Sequence, residues 1–226
     1  MKARWFGFMM TLAGVLLAGA AQAGISLDLP SAGNYTNSTT VSTAVVDASG
    51  ATFDIVYTVT ADDLHGSTPT DWLQVSVNSM GVNDGTIYGT YNEWMSFTSL
   101  SIENFNAGGS GLAADDIAEL TFSAITLTSV GHSNDGMDLF FSGDKSGTAN
   151  NVNLSGYVAN TIQTIDISGF GSGTALSIEA DTYQDTNKFG VGGLEVSYAV
   201  IPEPAALGMI MVSGAGMLFV RRWFML

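Results

Sequence analysis

From residue 25 to residue 200 the chain alternates apolar and polar side chains in one short run after another, and a period of two is the signature of strand, not helix. The clearest run puts Phe53, Ile55, Tyr57 and Val59 on one face, with Thr52, Asp54, Thr58 and Thr60 on or near the other. Similar runs cover residues 25–29, 39–46, 72–77, 95–102, 120–130, 137–141, 152–158, 162–167, 175–179 and 191–200. Between them stand tight-turn residues: Asp47-Ala48-Ser49-Gly50, Asn83-Asp84-Gly85, Asn134-Asp135-Gly136 and the stretch 169–173. Gly supplies positive φ there, and Asn and Asp side chains bond their own backbone. Gly81, Gly85 and Gly89 mark bulges or a wide loop. Only residues 112–120 suggest helix, for one or two turns.

Composition narrows the fold further. The chain of 226 residues has no Cys, so no disulfide staples the fold and no thiol serves as nucleophile or zinc ligand. The core must hold by burial, and 46% apolar residues are enough for it. About ten short strands joined by Gly, Asn and Asp turns predict one all-β domain over residues 24–200, an antiparallel β-sandwich of jelly-roll-like type. Thr and Ser on the outward positions suit a wetted sheet face.

Charge is placed unevenly. Residues 24–200 hold 20 acidic and two basic residues, a net charge of −18. A polyanion is repelled by such a body, which excludes nucleic acid as a partner. Four of the six basic residues stand at the chain ends. Residues 1–23 carry Lys2 and Arg4, then an apolar run, then Ala21 and Ala23 two apart: the layout of a secretory signal peptide. Signal peptidase, whose pocket admits only small side chains, is expected to cut between Ala23 and Gly24. At the other end, Pro202-Glu203-Pro204 precedes an uncharged stretch, residues 205–220, and then Arg221 and Arg222. Sixteen helical residues span about 24 Å, short of the ~30 Å hydrocarbon layer, and the snorkelling arginines would make up the difference. Arg221 and Arg222 would hold the C-terminus in the cytoplasm, as Lys2 and Arg4 hold the N-terminus before cleavage. Glu203 suits the positive end of a helix, and Pro204 its first turn.

The order of Pro202-Glu203-Pro204, a short apolar helix bearing Gly and Met, and a terminal Arg pair resembles the PEP-CTERM sorting signal over residues 201–226. What the resemblance implies is an exosortase substrate of a Gram-negative bacterium. The tail would hold the exported protein in the inner membrane until the exosortase cuts near residues 202–204 and passes the remainder to the cell surface or extracellular matrix. Here Trp223-Phe224-Met225-Leu226 follow the Arg pair where the pattern has further basic residues. The stretch 189–198 also resembles the closing strand of jelly-roll carbohydrate-binding-type sandwiches found ahead of such tails.

Chemistry-bearing residues are sparse. His65 and His132 are the two histidines, each in a polar Gly-bearing loop with aspartates nearby, and no Ser sits in a Gly-x-Ser-x-Gly elbow. No spacing singles out a carboxylate pair of the kind that hydrolyses glycosides. No motif assigns a cofactor. Calcium is the cation the acidic turns would suit, at residues 83–85, 132–138 and 181–185, though ordinary hairpin turns use the same residues. Trp72, Tyr88, Tyr91 and Trp94 gather around a Gly-containing stretch and could stack on sugar rings; core burial explains the two tryptophans equally well. The expectation is a non-enzymatic structural or adhesive protein. A carbohydrate-binding module for extracellular polysaccharide is the alternative, and a polysaccharide hydrolase comes third.

Overall fold

The computed structural model describes residues 24–63, 72–76, 79–82, 85–88, 93–128, 130, 136–141, 147–154, 161–171, 173–180 and 188–200. The expected signal peptide, sorting motif and membrane helix lie outside them. Among the described residues no helix is long and apolar enough to cross a membrane.

Among the described residues fourteen strands form: β1 (Ile25–Leu27), β2 (Gly33–Thr36), β3 (Ser38–Val46), β4 (Thr52–Asp63), β5 (Trp72–Val75), β6 (Met80–Val82), β7 (Ile87–Tyr88), β8 (Glu93–Asn106), β9 (Ile117–Thr128), β10 (Gly136–Phe140), β11 (Asn150–Asn153), β12 (Gln163–Asp166), β13 (Leu176–Ala180) and β14 (Lys188–Val200). Every expected run is present in part or whole. β2, β6 and β7 are additional: each is short, and Gly33 and Gly81 interrupt any alternation. The expected helical stretch is a single 3-10 turn at Ala114–Asp116, because β9 already begins at Ile117. Isolated turns cannot outlast pairing that supplies a hydrogen bond at every second residue.

All pairings are antiparallel. One sheet runs β12-β9-β14-β6-β5-β2, with β1 and β7 also on β14; the other runs β11-β10-β13-β8-β4-β3. β14 organises the first sheet. One of its edges pairs with β9 from Gly190↔Thr128 to Val200↔Ile117; its other edge is shared by β7, β6 and β1 in turn. Gly190 permits this crowding: a Cβ there would run into Ser79 Oγ and Thr128 Oγ1, which bond each other at 3.0 Å. Asn37, at φ 62°, turns the chain from β2 in one sheet to β3 in the other.

The two sheets face each other across one apolar core. From β4, Phe53, Ile55, Tyr57 and Val59 point inward and are essentially unexposed, which is the face the alternation assigned. Phe97 of β8 spans the gap, its ring centroid 6.3 Å from Tyr57 on its own sheet and 6.3 Å from Phe122 on the other. Nearer one end, Phe53 meets Tyr198 edge-on at 5.6 Å and stacks on Phe105 at 6.4 Å. Each such side chain contributes about 1.5–3 kcal/mol by leaving water, and the aromatic pairs add a fraction more. With no Cys in the chain, no covalent bond supplements them.

Removing the Phe97 ring opens a cavity against both sheets, so Phe97→Ala should lower unfolding stability by about 3–5 kcal/mol in urea titration. A change under about 1 kcal/mol would show that the sheets are not held through this contact.

Candidate functional site

The registers sort the strand ends into two groups. Asp63 pairs with Glu93, Ala180 with Met137, Tyr88 with Lys188 and Thr36 with Trp72, so these residues share one end of the sandwich. At the opposite end Thr52 pairs with Asn106 and Val46, and Val200 with Ile117. Ile25 pairs with Val196 and Leu27 with Leu194, so β1 enters from the second end, with Gly24 on the Val200 side of it beside Glu195 and Ser123. Both exits of the described chain are therefore on one side. The candidate aromatics are on the other.

At the aromatic end the elements set each side chain separately. Trp72 opens β5 on the outward side, since Leu73 and Val75 fill the core, and it is 40% exposed. Tyr88 sits on β7 against Lys188, whose ammonium lies 5.2 Å from the ring centroid and 3.5 Å from the phenol oxygen. The Tyr88 amide donates to Glu93 Oε2 at 2.9 Å, which holds the buried Glu93 carboxylate at the mouth of the core. Trp94 belongs to β8 of the other sheet and is partly buried, with its indole nitrogen away from solvent. The structure therefore brings Tyr88, Glu93 and Lys188 together and keeps Trp72 and Trp94 on different sheets. Tyr91, His65, His132, Ala21, Ala23, Pro202, Glu203, Pro204, Arg221 and Arg222 lie outside the described residues. Gly24 is described and exposed; a Cβ on it would sit 2.7 Å from Glu195 Oε2.

Register also assembles a row that spacing could not show. Across the outward side of the second sheet, Asp62 stands opposite Trp94, Trp94 opposite Glu179, Glu179 opposite Asp138 and Asp138 opposite Asn151. Asn151 Nδ2 donates to Asp138 Oδ1 at 3.1 Å. Below it, Ser96 and Ser177 bond each other at 2.8 Å, both buried. An indole face can stack on a sugar ring and a carboxylate can accept its hydroxyl hydrogens; in this row Asp62 is exposed, Trp94 is partly buried and Glu179 is buried. Among the described residues no three carboxylates or imidazoles converge as a metal site; of the acidic turns weighed for calcium, only Gly85 and residues 136–138 are described. Lys188 is the one cation among the described residues.

The exit end is held by two phenols. Tyr198 of β14 donates its hydroxyl to Asp47 Oδ2, and Asp47 also accepts the Ser49 amide at 2.7 Å, closing the β3–β4 turn. Further in, Tyr57 donates to the Asp28 carbonyl at 2.7 Å. Burial above all, then the bond to Asp47 and its charge, pushes the Tyr198 phenol well above its ordinary value; burial and then the Asp28 charge do the same to Tyr57. The first link joins β14, and the second the end of β1, to the six-stranded sheet, and neither tyrosine stood out in the sequence beyond its place on an inward face.

No protein-family model and no curated protein matches the chain. A crystal structure of a DUF4465 family protein from Bacteroides ovatus ATCC 8483 aligns with it at 12% identity and a TM-score of 0.31, over 79% of this chain and 99% of that one. So low a score carries no argument about fold or function.

A phenol with a raised folded-state value stabilises the fold fully below the unfolded value, near 10, and loses that contribution as pH rises through the folded value. The urea midpoint should therefore fall steadily above about pH 10. Absorbance at 295 nm should show Tyr57 and Tyr198 ionising only as the protein unfolds. In Tyr198→Phe the alkaline fall should be shallower. A slope equal to that of the parent protein would remove Tyr198 from this role.

Proposed function

We propose that the protein is an exported, non-enzymatic β-sandwich of jelly-roll-like type, carried out by an N-terminal signal peptide and sorted to the cell surface or extracellular matrix through a PEP-CTERM-like tail. The ordered combination of Pro202-Glu203-Pro204, the uncharged residues 205–220 and the Arg221-Arg222 pair, in a chain that also begins with a charged and apolar leader, carries this reading. In it, signal peptidase releases the leader at Gly24 and the inner membrane retains residues 205–220. An exosortase then cuts near Pro202. Two structural features support it. Gly24 and Val200 leave the sandwich at one end, so leader and tail can both sit at a membrane without threading the body through it. β14, from which the tail continues, is paired with β9 as far as Val200 and joined to the other sheet through Tyr198, so it is anchored within the described residues up to the point where the tail begins.

A second reading, binding of extracellular polysaccharide, is favoured by the exposed Trp72 and by the exposed Asp62 beside the partly exposed Trp94, all remote from the tail exit. Replacing the exposed Trp72 by Ala should then abolish retention on the cell's own polysaccharide with no change in melting temperature. Retention equal to that of the parent protein would exclude it.

Sorting has its own test. Pulse-labelled protein in a strain lacking the exosortase should accumulate as a membrane-bound form longer than the mature one by the tail. A product of the same mass with and without the enzyme would contradict the assignment.

A further inference from the structure

Sheet edges differ sharply in this molecule. β2, β11 and β12, which end the sheets elsewhere, have four residues each; β3, which ends the six-stranded sheet, has nine. A strand edge presents a row of unpaired N–H and C=O groups to any other strand, and proteins that avoid such pairing shorten the edge, bulge it, or place charge or Pro on it. β3 does none of these. Its residues are Ser, Thr, Ala and Val alone, and its register with β4 runs unbroken from Ser38↔Thr60 to Val46↔Thr52. On the outward side Thr40, Ser42, Ala44 and Val46 are exposed, Val46 at 75%. The one described segment near this edge, at Asp28, bonds Thr43 Oγ1 on the core side and leaves the edge itself open. Among the described residues no strand pairs there.

We propose that β3 pairs antiparallel with β3 of a second copy of this chain, about a two-fold axis through Ser42, to make one continuous sheet across two molecules. Length and regularity select that occupant, since a second β3 offers an equally long, unbroken and uncharged partner, and charge selects the place: the bodies repel each other, and the nine residues of this edge set no charge against a charge. Centring on Ser42 overlaps all nine residues, and sets Thr40 opposite Ala44 and Val41 opposite Thr43. The acid at the strand end, Asp47, then faces Asn37 of the second copy instead of its own mate. Asp54, one strand inward, has its carboxylate held by Asn104 Nδ2 at 2.7 Å. Small and β-branched side chains directly opposite one another suit a cross-strand interface. The inference concerns the folded body and does not depend on where the tail is cut, so it stands or falls separately from the sorting reading.

The absence of Cys makes the test direct. In the full chain, kept in detergent, Ser42→Cys introduces a single thiol. Opposed Cα atoms in an antiparallel pair are about 4.5–5.5 Å apart, within the range of a disulfide. Mild oxidation should yield a disulfide-linked dimer, whereas Ser168→Cys, exposed after β12, should not. The wild-type chain should sediment as a concentration-dependent dimer. Ser42→Lys, which sets two like charges on the axis, should raise its dissociation constant at least about tenfold with an unchanged melting temperature. Four results would each overturn the proposal: no cross-link at Ser42→Cys, equal cross-linking at Ser168→Cys, a dimer indifferent to Ser42→Lys, or a monomer whose β3 amides are protected from exchange by the chain's own leader or tail.

Discussion

Burial of alternate side chains between two sheets is the constraint from which the rest of the molecule follows. The protein has no disulfide, so among the described residues the free energy of folding comes from the inward faces of strands such as β4, β8, β9 and β14. Phe97 reaches both sheets, and Phe53 meets Tyr198 edge-on. Once those faces are shut, the outward faces are free to be polar, the ends are free to carry irregular chain, and β14 has a rigid bed on which to finish.

That bed gives the two ends of the sandwich different characters. The Tyr198 to Asp47 bond lies where the chain leaves for its tail, and the same bond closes the β3–β4 turn. A pull on the tail would be passed across both sheets through a hydrogen bond to a buried carboxylate, a stronger link than one between neutral groups. The far end gathers Trp72, the Tyr88–Lys188 pair, Glu93 and the Asp62, Trp94, Glu179 row. Held by its tail end, the body would present this acidic and aromatic end outward.

Much of the fold was legible because period two survives any register: Phe53, Ile55, Tyr57 and Val59 had to share a face whichever strands flanked them. β2, β6 and β7 escaped because two to four residues cannot display a period, and because Gly81 is there for close backbone approach and Gly85 for a positive φ, neither of which leaves a pattern. The short helix expected around residue 117 lost to pairing with β14, a contact between positions far apart in sequence. Trp72 and Trp94, neighbours in sequence, stand at one end of the sandwich but on different sheets, an arrangement that only the registers show. The Asp62–Trp94–Glu179 row, in turn, needs three strands in register before it exists. The sorting reading comes from residues beyond the described sandwich and rests on their order alone.

Its central claim is that both ends of the chain are removed on the way to the surface. Intact mass and terminal sequencing of the protein recovered from the cell exterior measure that in one experiment. A first residue of Gly24 and a last residue within or just before Pro202 to Pro204 is the result expected. Protein recovered from the cytosol with Met1 and Leu226 both in place would contradict it.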